Sequence, residues 1–348
     1  MKMRMFAAYY DRPGPASEVL QFGEVDAPPL KSGELRVAIH ACGLNPADVK
    51  RLAGAAPSPG EMHAPADANA AMRSVPGDDG AGVVVEVGEG VPVARIGQRV
   101  WVRNARVDRK FGTMASHVAV PEDRAIPLPD GVGFEAGACL GVPAFTAHYA
   151  LFSDGAIAGQ TVLIHGGAGS VGSTAVQLAK WAGAKVIATV SGPEKAAVAL
   201  KCGADHVVNY RNENVADAVL AITNGQGVDR AVDVAFGVNL PVNLEVIKTN
   251  GTLATYSSDA DDTPTLPFWR LLRKNLRVHF LVIYWLPPAY LVGAIRDISA
   301  ALATHALKPV VTQVLPLRSL AAASATVGAL SGIGNIVLVP DQEQPRCS

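Results

Sequence analysis

Two short stretches hold residues whose types and spacing could do chemistry. The first is Gly77-Asp78-Asp79-Gly80, two acids in a row ahead of the apolar run GVVVEVG. Adjacent carboxyls can be metal ligands, a general acid–base pair or turn residues. A working pair needs carboxyls that face each other, and neighbours at the start of a strand point in different directions. The second stretch is Gly167-Ala168-Gly169-Ser170-Val171-Gly172, a GxGxxG. It follows the strand-like TVLIHG and opens the helix-like VGSTAVQLAKWAG, with KVIATV behind it as a second strand. That context makes the hexapeptide a dinucleotide fingerprint. Gly167 is expected to permit the tight turn, Gly169 to let the backbone approach a pyrophosphate, and Gly172 to let the helix pack on the strand. The helix N-terminus then offers N–H groups and a positive dipole end to phosphate.

The choice of nicotinamide cofactor turns on the end of the second strand. A site that prefers NAD usually carries an acid there, bonded to the ribose 2′-OH. Here the chain reads Thr189-Val190-Ser191-Gly192-Pro193, with no acid at the strand end. Ser191 and Lys195 are placed for a 2′-phosphate, Tyr210 at the end of HVVNY can join them, and Glu194 is expected to face solvent. The cofactor expected is therefore NADPH. The competing reading has Ser191 capping the next helix and Lys195 as a surface residue.

These residues need elements to hold them. The 348 residues suggest two domains, and 49% hydrophobic content is enough for two cores. Residues 1–130 are β-rich, with LRVAIHACG, GVVVEVG, RVWVRN and ASHVAV as short runs between Gly, Pro and Asp turns. The Pro/Ala-rich segment 53–73 is expected to be a surface loop or lid. From about residue 131, strands alternate with amphipathic helices, which implies a parallel, doubly wound sheet of the Rossmann kind. After 273 the chain reads as the strand LRVHFLVIYW, the helix AYLVGAIRDISAALATHA and a last strand in IGNIVLVP. The expected division is 1–130 with 274–348, and 131–273.

Composition narrows the function classes. A net charge of −1 gives no field to draw nucleic acid. The cluster Arg103, Arg106, Arg109 and Lys110 is expected to be a solvated loop. Four scattered cysteines, Cys42, Cys139, Cys202 and Cys347, fit a reducing cytoplasm and argue against a disulfide framework. No signal peptide is expected at MKMRMFAAYYDRPGP. The most apolar run, FLVIYWLPPAYLVGAI, is cut by Pro287-Pro288 and falls short of the ~18 unbroken residues of a spanning helix.

ACGLNPADVKRLAG, VPGDDGAGVVVEVGEGV, GVPAFTAHYALF, the phosphate loop and GADHVVNYR follow one another in this order. In that order the chain resembles the medium-chain dehydrogenase/reductase superfamily over nearly its whole length. The resemblance implies an α/β protein: a GroES-like β-rich catalytic domain plus a Rossmann cofactor domain. In the superfamily's zinc alcohol dehydrogenases the catalytic metal takes Cys, His and Cys. The corresponding places here look like Asn45, Asp78 and Val142, which do not supply the S and N ligands such a site needs. Asp78 and Asp79 are thus expected to be turn and hydrogen-bonding residues. The closer resemblance is to the zinc-independent, zeta-crystallin-like quinone oxidoreductases. It places Asn45 by the nicotinamide as the catalytic candidate, with Asp48 structural. It adds Thr146, Phe236, Tyr256, Phe280, Leu281 and Val282 to Gly167 through Val171 as cofactor contacts. The family's GK near the last strand appears as Gly334-Asn335, which leaves the role of Asn335 open. The strand at 280–282 also builds homodimers in the family.

The implied reaction is hydride transfer from NADPH to a quinone or other conjugated carbonyl, with no metal. Related enoyl-thioester reductases carry a Tyr soon after NPxD; RLAGAAPSPGEM has none. That weakens the enoyl-thioester alternative and leaves solvent or a ribose hydroxyl as proton source. Arg73 and His63 are near only in sequence. A short-chain reductase needs Tyr-x-x-x-Lys, and none of the seven tyrosines has Lys four residues on. A non-catalytic NADPH-binding protein stays as the rival from a different class.

Overall fold

The computed structural model describes residues 3–55, 73–329 and 332–340. His63, Cys347 and nearly all of the expected 53–73 lid lie outside the described residues. The chain forms two compact units, residues 1–142 with 311–348, and residues 143–310.

The first unit opens with β1 (Arg4–Tyr9), α1 (Ala16–Val19), β2 (Gln21–Asp26), β3 (Glu34–Leu44), α2 (Pro46–Leu52), β4 (Asp79–Val87), β5 (Arg99–Val102), β6 (His117–Pro121), β7 (Ala125–Pro127) and α3 (Phe134–Gly137). The second unit runs α4 (Val142–Phe152), β8 (Thr161–Ile164), α5 (Ser170–Trp181), β9 (Lys185–Val190), α6 (Pro193–Lys201), β10 (His206–Asn209), α7 (Val215–Ile222), β11 (Val228–Asp233), α8 (Phe236–Val246), β12 (Ile247–Thr255), α9 (Phe268–Arg273), β13 (Arg277–Phe280) and α10 (Pro288–Ala303). The chain returns to the first unit through β14 (Val311–Pro316), α11 (Leu320–Gly328) and β15 (Asn335–Val339).

The first unit is built on a sheet of order β14-β15-β3-β4-β5-β7, with β6 also paired to β3. Only β14 and β15 run parallel; the other pairs are antiparallel. β3 is the central strand, and its alternating Val37, Ile39 and Ala41 are buried, with half-buried Ala38 and exposed His40 between them. Leu317, Leu320, Ile336 and Leu338 enter the same core as Leu35, Val37, Val100 and Val118. Residues far apart in sequence therefore share one apolar interior, which is what draws the last segment back.

In the second unit all pairs are parallel and the order is β10-β9-β8-β11-β12-β13. Numbered within the sheet this is 3-2-1-4-5-6, the doubly wound dinucleotide-binding order. The strands TVLI and KVIATV are near-continuous apolar runs, as strands buried on both faces require. Helix α5 buries Ala175, Val176, Leu178 and Ala179 and leaves Lys180 outward. It ends where Gly183 takes φ +82°, a left-handed stop that a side chain would strain.

The expected division at 130 and 273 needs correction at both ends. Residues 131–142 stay with the first unit because α3 packs on β3, β4 and β5. Residues 274–310 stay with the second because β13 pairs with β12 as the sixth strand of the parallel sheet. That strand is also shorter than LRVHFLVIYW suggests and ends at Phe280.

Candidate cofactor and active site

The phosphate loop joins β8 to α5 where the strand order reverses between β8 and β11. Ligands of open α/β sheets bind at such a switch point. Four glycines divide the work there. Gly166 takes the left-handed turn at φ +68°. Gly167 has an ordinary φ, and a Cβ on it would sit 2.6 Å from Ala188 Cβ on β9. The tight-turn role expected of Gly167 thus belongs to Gly166, and Gly167 serves close packing. A Cβ at Gly172 would sit 2.1 Å from Gly166 O, so the helix can approach the loop only with glycine there. Gly169 differs from these: a Cβ on it would meet only Gly166 O at 3.4 Å and otherwise point into open space. Ser170 and Val171 follow as the half-buried first turn of α5, which carries no acidic side chain to cancel its dipole. Ala168 is buried beneath them. An open Gly169 beside an uncompensated helix start fits a pyrophosphate.

The rest of the expected cofactor set in this unit, Thr146 apart, follows the C-terminal ends of the strands. Ser191 directly follows β9 and Tyr210 directly follows β10, and the Tyr210 N–H donates to Val190 O at 3.1 Å. The two residues therefore leave adjacent strands side by side. The residue that caps α6 is Gly192, so the Ser191 side chain is not spent as a cap. Lys195 is half-buried in the first turn of α6, while Glu194 is exposed. Phe236 follows β11 and meets Phe280, at the end of β13, edge to face with centroids 5.0 Å apart. Tyr256 follows β12, where its N–H donates to Asp233 O at 3.2 Å and burial pushes its phenol up. Leu281 is buried and its N–H donates to Thr255 O at 2.9 Å, while Val282 is exposed. Thr146 is buried within α4.

Asn45 and Asn335 belong to the first unit. Asn335 opens β15, buried, and its carbonyl accepts from Thr312 Oγ1 at 3.2 Å. Asn45 caps α2 and is buried; its backbone N–H donates to Asp48 Oδ2 at 3.0 Å, the return half of a capping box. Its side-chain Nδ2 donates to Asp79 Oδ2 at 2.9 Å, and that oxygen also accepts the Val142 N–H at 2.8 Å. Asp78 points elsewhere: Oδ2 accepts from Arg51 at 3.0 Å and Oδ1 from the Arg106 N–H at 3.3 Å. The two acids do diverge, as their adjacency requires. The carboxyl that reaches both Asn45 and Val142 is that of Asp79, where the sequence correspondence had set Asp78.

Electrostatics here are those of a buried cluster. Burial pushes the Asp79 carboxyl well above the usual range, against the partial relief of the Val142 N–H. Asp48 is pushed up to about 7, first by burial and then by the charge of Asp78, with Arg51 opposing. Arg106 is buried and its guanidinium donates to Tyr10 Oη at 2.9 Å. Arg103 is buried against Asp123 at 3.3 Å, and Arg109 pairs with Glu34. The first part of the basic segment expected as a solvated loop is therefore buried, with Arg106 and Arg109 set against the buried Asp78 and Glu34, while Arg103 reaches the exposed Asp123 and Lys110 is half-buried. Cys42 donates Sγ–H to Thr113 O at 2.9 Å, and burial raises its thiol. Arg73 leans over the Tyr9 ring at 4.7 Å and sits 3.9 Å from Asp11.

A catalytic zinc does not fit these residues. The place of the third ligand presents a backbone N–H, which has no lone pair to give. Among the described residues no three His, Cys, Asp or Glu side chains converge to hold a metal. Sequence reasoning missed one further cluster: His148, with Nδ1 2.7 Å from Tyr290 Oη and Nε2 3.2 Å from Asp297, ties α4 to α10. No spacing rule links residues 148, 290 and 297.

Comparison with known proteins agrees with both units. Residues 31–130 match the family model described as the alcohol dehydrogenase GroES-like domain, and residues 170–294 match that described as zinc-binding dehydrogenase. The chain is 32% identical over 236 residues to a quinone oxidoreductase of Rattus norvegicus, covering 67% of this chain and 68% of the relative. It is 33% identical over 258 residues to a quinone oxidoreductase of Pseudomonas aeruginosa, covering 74% and 73%. A mycobacterial structure solved complexed with NADPH superposes with a TM-score of 0.83 at 26% identity, covering 97% of this chain and all of that one.

Proposed function

Because this chain belongs to the medium-chain dehydrogenase/reductase superfamily, in its quinone oxidoreductase branch, we propose that it is a zinc-independent, NADPH-dependent reductase of quinones or other conjugated carbonyls. The observation that carries the cofactor is the edge of the second unit's sheet. It offers an open Gly169 for pyrophosphate and paired strand ends with Ser191, Tyr210 and nearby Lys195 for a 2′-phosphate. The name shared by the curated relatives supports the acceptor class.

When bound, NADPH supplies the hydride. The chain's own task is position and electrostatics. The N–H groups at the start of α5 orient the pyrophosphate, and Lys195 with Ser191 neutralises the 2′-phosphate. Phe236, buried beside Phe280, and the backbone at 280–282 brace the nicotinamide end. Asn45, clamped by Asp79 and by α2, offers a fixed amide dipole where charge develops on the acceptor oxygen. A preorganised group of this kind costs no reorganisation during the reaction. Orientation of hydride donor and acceptor contributes on the order of 7–11 kcal/mol in well-aligned systems. The residues around Asp79 do not suit a zinc ion, so an acceptor that is electron-poor by itself fits this reading. We further read the protein as a cytoplasmic homodimer, on three free cysteines among the described residues and on the exposed apolar edge of β13.

The test follows loss of reduced-nicotinamide absorbance with NADPH or NADH against benzoquinone, naphthoquinone, a conjugated enone, a crotonyl thioester and a plain aldehyde, with EDTA present. Quinone- or enone-dependent oxidation of NADPH that ignores the chelator is the expected result. Aldehyde reduction preferring NADH and lost with EDTA would sink the proposal. Turnover confined to the thioester selects the enoyl reductase, and NADPH binding without turnover selects a non-catalytic binder.

A further inference from the structure

Beneath the phosphate loop lies a buried polar chain that the binding contacts do not explain. Asp233, at the end of β11, is fully buried, as is Asn243 on α8, and His165 and Thr189 are nearly so. The Asp233 carboxylate accepts the Ala235 N–H at 2.8 Å, Asn239 Nδ2 at 2.8 Å and Asn243 Nδ2 at 2.7 Å. An acceptor-only carboxylate fixes which way the Asn243 amide faces. Its Oδ1 must then meet His165, and it lies 2.9 Å from Nε2. That contact demands the Nε2–H tautomer, which leaves Nδ1 as a lone pair. Nδ1 faces Thr189 Oγ1 at 3.4 Å, so the hydroxyl donates to it. The hydroxyl oxygen is then free to accept the Gly166 N–H, at 3.2 Å. Every donor along the chain points the same way, from the loop to Asp233, and such chains polarise cooperatively.

We propose that Thr189, His165, Asn243 and Asp233 form a positioning relay for the phosphate loop. They hold Gly166 in its left-handed turn and so aim the following N–H groups at the cofactor's pyrophosphate. The inference rests on the cofactor reading above. None of the four side chains need touch the cofactor. Its consequence is that Asn243, separated from the loop by His165 and Thr189, governs NADPH affinity.

The experiment is fluorescence titration of the purified full chain with NADPH, together with melting curves and steady-state kinetics. Thr189→Val keeps the β-branched shape and removes only the hydroxyl link. It is expected to raise the Kd for NADPH about five- to tenfold, while Thr189→Ser stays near wild type. Asn243→Ala is expected to shift the Kd in the same direction. In both weakened variants the acceptor KM and the kcat at saturating NADPH should stay within about twofold of wild type. The relay is refuted if Thr189→Val and Asn243→Ala melt as wild type does and bind NADPH as tightly. It is also refuted if Thr189→Ser loses affinity and melting temperature together with Thr189→Val, the pattern of a packing role alone. Failure of the wild type itself to bind NADPH would instead overturn the reading of the loop, and the relay with it.

Discussion

Asp48 is a residue whose charge the first unit resists. Its carboxyl titrates near 7 in the fold against about 3.9 in an unfolded chain. Between those values the native state holds a proton that the unfolded state has released. The stability contributed by the protonated form is complete below about pH 4 and is lost as pH rises through 7. Asp48→Asn keeps an acceptor for the Asn45 N–H and cannot ionise, so its melting temperature should fall less than that of wild type between pH 5 and pH 8. His148 and His279, whose ring pKa values burial lowers, change stability in the opposite direction but are common to both proteins. Parallel melting profiles for the two proteins would show that Asp48 is ionised in the native state throughout. Lys195 makes a second case at this scale. A charge-assisted contact to a 2′-phosphate predicts that Lys195→Ala raises the NADPH KM about tenfold or more and leaves the NADH KM nearly unchanged. An equal rise for both cofactors would place Lys195 away from the 2′ position.

At the scale of elements, the strand–loop–helix unit around residue 167 was readable because its spacing is dictated by a ligand. What spacing could not assign was which glycine turns the chain. The motif begins at Gly167, and Gly166 just ahead of it falls outside the spacing, yet it is Gly166 that takes φ +68° while Gly167 keeps ordinary geometry. The basic segment 103–110 was misread for a related reason. Its partners include the buried Asp78 and Glu34, which local sequence does not identify. The loop geometry separates two roles that one motif conflates. Gly169→Ala meets open space at an ordinary φ, so the variant should melt like wild type yet bind NADPH much more weakly, because the new methyl occupies the approach to the backbone. Gly172→Ala drives a methyl to 2.1 Å from Gly166 O and should destabilise the protein by about 1–3 kcal/mol or more. Calorimetry and NADPH titration on both variants check this, and an undiminished affinity in Gly169→Ala would remove the pyrophosphate from that site.

For the whole molecule, the order of parts was visible in sequence while the point of return was not. The fingerprint and the alternating strands marked the second unit, but β13 looked like departure from it and is instead its last strand. Being last, β13 pairs only with β12 among the described residues, which leave its other edge unpaired. An unpaired edge is a template for another strand, and soluble proteins usually blunt it with charge or cover it. Here β13 carries the exposed Arg277 at its start, while its end and the residues after it expose Phe280 at 62%, Val282 at 41% and Trp285 at 56%. That apolar edge is consistent with the homodimer we propose, with two copies of β13 meeting across a two-fold axis, the commonest symmetry of soluble oligomers. Sedimentation should then give about twice the chain's 36.1 kDa. The double variant Phe280→Glu, Val282→Lys should shift the protein toward monomer. Its effect on chain folding should be small, since both side chains are exposed within one copy. A wild type that sediments as a monomer at micromolar concentration would leave this edge without a partner of its own kind and return the question of what covers it.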